Sequence, residues 1–201
     1  MNLPNKLTVL RIFMIPLFLV FFFCPLIPHS YLWAFITFGI ASLTDMLDGM
    51  LARKWNMLTD FGKLMDPLAD KLLTIAAFAA LLGTQPNQLR TAGLICLIVI
   101  ISREFAVTSM RLVAAEKGLI LAADQWGKFK TVSQMVWICQ ALLRLSLYGR
   151  PGDALSAQFV GWHLAVWNTF NIALFIVMML LTVGSGMNYI VKNRGLFKQS
   201  A

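Results

Sequence analysis

Charge is what this sequence has least of. Only 13% of its 201 residues are Asp, Glu, Lys or Arg, while 59% are hydrophobic and the mean hydropathy is +0.73; soluble domains carry about 25% charged residues. A chain this short has too little interior to hide so much apolar surface from water, which excludes a soluble enzyme and points to lipid as the solvent. The same composition excludes disorder. Histidine is nearly absent: His29 and His163 stand far apart, so a histidine metal centre is excluded. The three cysteines, Cys24, Cys96 and Cys139, sit singly inside apolar stretches with no CxxC spacing, which excludes a disulfide framework and a zinc site and leaves structural thiols. Basic residues outnumber acidic ones, for a net charge of +8, yet they form no aromatic-interleaved run, so nucleic acid is not a partner. Lys6 and Arg11 precede an apolar run from Ile12 to Phe23, as in a signal peptide, but Cys24-Pro25-Leu26-Ile27-Pro28 offers no small-residue cleavage site. The run is expected to stay as a span. No internal repeat or low-complexity tract divides the chain, so residues 1–201 read as one membrane domain.

What is present is a series of six apolar runs, near residues 9–27, 31–52, 64–83, 91–114, 130–148 and 162–186. Each suits a helix crossing about 30 Å of hydrocarbon, so the expected class is an all-α integral membrane protein with about six transmembrane helices. Lys6, Arg11, Arg53, Lys54, Lys63, Lys117, Lys128, Lys130, Lys192, Arg194 and Lys198 flank one set of ends, and the alternate loops hold only Arg90, Arg144 and Arg150. Basic residues concentrate on the cytoplasmic side, so both termini are expected there. Residues 25–30 and 149–153 read as outer turns, with Tyr31, Trp33 and Trp162 as interfacial aromatics.

Against this background four carboxylates stand out: Asp45, Asp48, Asp66 and Asp70. Ionisable groups inside a membrane segment cost about 2.5–3.5 kcal/mol each, so they need partners. Spacings of i, i+3 and i, i+4 put each pair on one helix face, and the two helices join on the cytoplasmic side. Repulsion among four such groups is relieved by protonation or by cations. An all-oxygen donor set without His or Cys fits Mg²⁺ or Mn²⁺, with two ions sharing ligands. The bland alternative makes Asp48 and Asp66 solvated acids and pairs Asp45 and Asp70 with Arg53 or Lys71. Gly49, Ala52 and Gly62 let another group approach the helix backbones, and Arg53 offers a guanidinium to phosphate oxygens.

As one string, Asp45-x2-Asp48-Gly49-x2-Ala52-Arg53-x8-Gly62-x3-Asp66-x3-Asp70 resembles the signature of the CDP-alcohol phosphatidyltransferase family. That resemblance implies the family's membrane fold and a di-metal site held by the four aspartates. It implies a CDP-activated lipid as donor, and Asp70 as the general base that accepts the proton of the attacking alcohol. By matched position it assigns CDP binding to Asp48, Gly49, Ala52, Arg53 and Gly62. Asn5-x2-Thr8-x2-Arg11, within an interfacial segment at residues 1–11, resembles a stretch supporting the nucleotide or pyrophosphate, adding Asn5 and Thr8. A homodimer in the bacterial plasma membrane, with its active site facing the cytoplasm, is likewise implied.

The acceptor is read from basic residues elsewhere. Arg103 and Arg111 in the fourth run, with Lys128 and Lys130 opening the fifth, form a set suited to a phosphate dianion. Pairing of Arg103 with Glu104 and inner-leaflet anchoring of the other three are the competing readings. Residues 2–11, 102–108 and 125–131 resemble bacterial members of the family that use sn-glycerol 3-phosphate, which implies phosphatidylglycerol phosphate and CMP as products. Phosphatidylglycerol or inositol phosphate as acceptor would keep the family. A divalent-cation transporter would use the aspartates as its binding site but calls for broken helices or paired repeats, and the sequence shows neither. Beyond about residue 140 the sequence carries only hydrophobicity, with Trp137 and the sixth run expected to line lipid or a partner subunit.

Overall fold

A computed structural model describes the backbone at residues 3–55, 60–85, 87–116, 125–148 and 162–193, and side chains at 9–44, 69, 71–85, 90–115, 125–147 and 166–193. The protein is all-α, with six helices among the described residues: α1 (Leu3–Phe23), α2 (Ser30–Trp55), α3 (Asp60–Gly83), α4 (Asn87–Glu116), α5 (Gln125–Tyr148) and α6 (Trp162–Lys192). α2 to α6 each contain one of the apolar runs, and α1 covers the first of them as far as Phe23. The turn expected at 149–153, together with Lys117, Arg194 and Lys198, lies outside the described residues, as do the side chains of Trp162 and His163.

Helix ends depart from the hydropathy pattern in a consistent way. α1, α3, α4 and α5 begin four to six residues before their apolar runs, at Leu3, Asp60, Asn87 and Gln125. Hydropathy marks where lipid solvates side chains, whereas helical hydrogen bonding continues into the polar turn beyond. α1 also ends at Phe23 rather than 27, because Pro25 disfavours helical backbone at Cys24 before it. The following turn holds the one left-handed non-glycine residue among those described, His29 at φ 53°. Its carbonyl accepts hydrogen bonds from the Leu32 and Trp33 amides at 2.9 and 3.1 Å and so opens α2.

Contacts group the chain into two compact units, Met1–Thr84 with Ile138–Asn168, and Gln85–Trp137 with Thr169–Ala201. In the first, α1 packs on α2 and α3, and α2 on α3. The buried stripe of α1 runs through Arg11, Met14, Phe18 and Phe22, and that of α2 through Ser30, Ala34, Thr37, Phe38 and Ala41. Both follow the helical period. Rings interlock where the stripes meet: Phe18 lies 6.2 Å from Phe38 and Phe22 lies 5.2 Å from Tyr31 between centroids. Such pairs contribute about 0.5–1.5 kcal/mol each beyond area burial.

The second unit inverts the pattern of a water-soluble protein. On α6 the buried face carries Met178, Thr182, Ser185 and Tyr189, while Leu180, Val183, Met187 and Val191 are exposed. α4 likewise exposes Leu94, Ile95, Ile98, Phe105 and Leu112. Polar groups inside and aliphatic groups outside suit a lipid solvent. Two stretches among the described residues, Arg90–Ala115 and Val166–Lys192, are long and apolar enough to cross a membrane, and only 22% of each one's most apolar window is buried. They are not core helices of a soluble domain. Trp137 corrects the sequence reading: it is 4% exposed and its ring packs 5.4 Å from Phe175, so it joins α5 to α6 rather than facing lipid.

Candidate active site

The signature residues fall on α2 and α3, and the register of those helices is informative. The buried stripe of α2 at 34, 37, 38 and 41 continues at the same period through positions 45, 48, 49 and 52. On α3 the stripe of Ala69, Leu73, Ala77 and Ala80 extends backward through 66 and 62, with 70 beside it. The signature therefore occupies the continuation of the faces by which the two helices meet their neighbours, at the ends flanking residues 56–59. The side chains of Asp45, Asp48, Ala52, Arg53, Asp66 and Asp70 lie outside the described residues, as do those of Asn5 and Thr8 and the surroundings of Gly49 and Gly62. Arg11 is described: it is 0% exposed, on the inward stripe of α1 in the same unit. A wholly buried guanidinium requires compensating negative charge.

Among the described side chains the main polar cluster is in the second unit, on α4, α5 and α6. Arg103 Nη1 donates to Glu104 Oε1 at 3.4 Å and its Nη2 donates to Ser185 Oγ at 3.1 Å. Lys130 Nζ donates to the same Glu104 oxygen. One carboxylate thus serves two cations, and the side chains are only 13%, 15% and 5% exposed for Arg103, Glu104 and Lys130. Arg111 Nε donates to the Tyr189 hydroxyl at 3.3 Å, and its guanidinium carbon lies 5.4 Å from that ring's centroid. Ser185 and Tyr189 are one turn apart on α6, as Arg103 and Arg111 are two turns apart on α4. Counting Arg103, Arg111 and Lys130 against Glu104 leaves a surplus of positive charge, which is what a phosphate monoester dianion requires.

Of the four basic residues expected to bind acceptor phosphate, Arg103 and Lys130 are brought together through Glu104. Arg111 joins by way of Tyr189. Lys128 is exposed and lies on another face of α5 from Lys130. Sequence reasoning missed Ser185, Gly186 and Tyr189. The available signal was a run of small and polar residues, Thr182, Ser185, Gly186 and Tyr189, at helical spacing in an otherwise aliphatic helix. Gln134 was missed as well: it is 5% exposed one turn after Lys130, and its Nε2 has no hydrogen-bond partner among the described residues. A buried donor left in that state costs about 1–3 kcal/mol.

The comparisons with known proteins agree with the signature. A family model described as CDP-alcohol phosphatidyltransferase matches residues 1–190. The chain is 41% identical over 210 residues to the CDP-diacylglycerol–glycerol-3-phosphate 3-phosphatidyltransferase of Bacillus subtilis (strain 168), covering 99% of this chain and 98% of that protein. Proteins of the same description from Haemophilus influenzae and Salmonella typhimurium are 36% and 34% identical, over 83% and 96% of this chain and 89% and 96% of their own.

Proposed function

Because the chain belongs to the CDP-alcohol phosphatidyltransferase family, we propose that it transfers the phosphatidyl group of CDP-diacylglycerol to sn-glycerol 3-phosphate, giving phosphatidylglycerol phosphate and CMP. The observation that carries the choice of acceptor is the surplus of positive charge where Arg103 and Lys130 share Glu104, with the exposed Arg111 held on Tyr189 further along α4. A neutral acceptor such as serine would have no use for it. In this reading the C1 hydroxyl oxygen of the acceptor forms a bond to the lipid-side phosphorus, and the bond from that phosphorus to the bridging oxygen breaks. CMP leaves with the electron pair, and the hydroxyl proton passes to the Asp70 carboxylate.

Asp45, Asp48, Asp66 and Asp70 supply an all-oxygen donor set in register with the inward faces of α2 and α3, which fits Mg²⁺ or Mn²⁺, two ions in all. Such ions, when bound, neutralise charge on the phosphoryl oxygens. Asn5, Thr8, Asp48, Gly49, Ala52, Arg53 and Gly62 hold the CDP head, and Arg11 adds buried positive charge in the same unit. Arg103, Arg111 and Lys130 take the acceptor phosphate, with Lys128 as an exposed cation on the approach. The whole chain acts as one membrane domain of six spans with both termini cytoplasmic, as a homodimer in a bacterial plasma membrane. The alternating distribution of basic residues supports the orientation.

The test is CMP release by the purified protein in detergent with CDP-diacylglycerol and Mg²⁺, comparing glycerol 3-phosphate, inositol phosphate, serine and phosphatidylglycerol. Release with glycerol 3-phosphate alone is expected. Release with a different acceptor alone would overturn the assignment of substrate while keeping the family reaction, and silence with all four would overturn the reaction itself.

A further inference from the structure

The path of the Arg103 side chain is set largely by a helix other than its own. A Cβ built at Gly186 on α6 would stand 2.8 Å from Arg103 Cγ, 3.8 Å from Nε and 3.9 Å from Cβ. Carbon atoms at 2.8 Å overlap, and Cγ is too near the α4 backbone to yield except by rotation about χ1. That rotation would carry the guanidinium out of the cluster. The tip is fixed as well. Ser185 is 1% exposed; its hydroxyl donates to the Thr182 carbonyl at 3.0 Å, which leaves an oxygen lone pair turned to Arg103 Nη2. A Cβ at Gly127, in the first turn of α5, would meet Nη2 at 3.9 Å, so the tip lies against α5 as well.

With Nη1 engaged by Glu104 and Nη2 by Ser185, Arg103 Nε remains buried with no hydrogen-bond partner among the described residues. We propose that the Ser185–Gly186 step of α6 is a positioning element for the acceptor: Gly186 opens the slot through which Arg103 passes, and Ser185 fixes the guanidinium that is read as a ligand of the glycerol 3-phosphate phosphate. The inference rests on the reading of Arg103 as a phosphate ligand. Neither residue touches the substrate; both act through Arg103. The absence of a side chain at position 186 is then a requirement of acceptor recognition rather than of helix packing alone.

A double-mutant cycle on KM separates these roles, because removing Cγ from Arg103 removes what a methyl at position 186 would strike. KM for glycerol 3-phosphate, KM for CDP-diacylglycerol and kcat are measured by CMP release for Gly186→Ala, Ser185→Ala, Ser185→Thr, Arg103→Ala and the doubles with Arg103→Ala. Gly186→Ala is expected to raise the acceptor KM roughly tenfold or more, as loss of a charge-assisted contact does, with KM for CDP-diacylglycerol unchanged. Ser185→Ala is expected to raise it several-fold, and Ser185→Thr, which keeps the hydroxyl, to restore it. Neither change should add to Arg103→Ala.

An unchanged acceptor KM in Gly186→Ala and Ser185→Ala beside a raised one in Arg103→Ala overturns the positioning role alone. Effects that add in full to Arg103→Ala overturn it too. An unchanged acceptor KM in Arg103→Ala overturns the phosphate reading on which it rests. Should Gly186→Ala fail to fold, the serine pair decides, since Ser185→Ala removes one oxygen and introduces no overlap.

Discussion

Replacing Asp70 by asparagine is expected to lower CMP release by about 10²- to 10⁴-fold at saturating substrates, the range for loss of a positioned general base. The amide is nearly isosteric with the carboxylate but cannot accept the proton of the attacking hydroxyl. Binding of CDP-diacylglycerol by the same purified variant, to be measured with a labelled lipid, is expected to stay within a few-fold of the wild-type protein. The loss therefore appears in kcat. Turnover within a few-fold of wild type would remove Asp70 from the role of base. A metal titration on the variant separates the two duties assigned to this residue: if added Mg²⁺ restores the rate, ligation rather than proton transfer was lost.

The second large effect is on stability. Glu104→Ala removes the carboxylate that Arg103 and Lys130 share, leaving two cations together where their side chains are 13% and 5% exposed. Breaking a buried ion pair by deleting one partner costs about 3–5 kcal/mol. The 15% exposure of Glu104 itself places this change at the lower end of that range. The expected result is a clear fall in the thermal midpoint in detergent, reversed in part when Lys130→Met is added, because the second change removes one of the two excess charges. A midpoint unchanged by Glu104→Ala would show that solvent or lipid headgroups already neutralise the cluster.

Six apolar runs in the sequence foretell the six helices, and the carboxylate spacing places each aspartate pair on one face of its helix. Both are local signals: hydropathy over one span, or residues three and four apart. The starts of α1, α3, α4 and α5 are missed because lipid solvation and helical hydrogen bonding end at different residues. What the sequence hides is long-range. Ser185 looks like one polar residue in an aliphatic run, and its role becomes legible only when Arg103, 82 positions earlier, is placed against it. Gly186 reads as an ordinary small residue of a membrane helix until the Arg103 stem is found 2.8 Å from where a methyl would be. Glu104 was visible as a neighbour of Arg103, but its bond to Lys130 joins two helices and no local pattern announces it.

That shared carboxylate also bears on the order in which the chain enters the bilayer. α4 arrives with Arg103 and Glu104 adjacent, so the charge at that depth is already compensated within the segment. α5 brings Lys130 with no acidic residue anywhere along its own length. A buried ammonium group needs a counter-charge, and the carboxylate that supplies it to Lys130 belongs to the helix synthesised before. If α4 and α5 both span the bilayer as proposed, the counter-charge for Lys130 is already in place when α5 is made, and one ionic bond ties the later helix to the earlier.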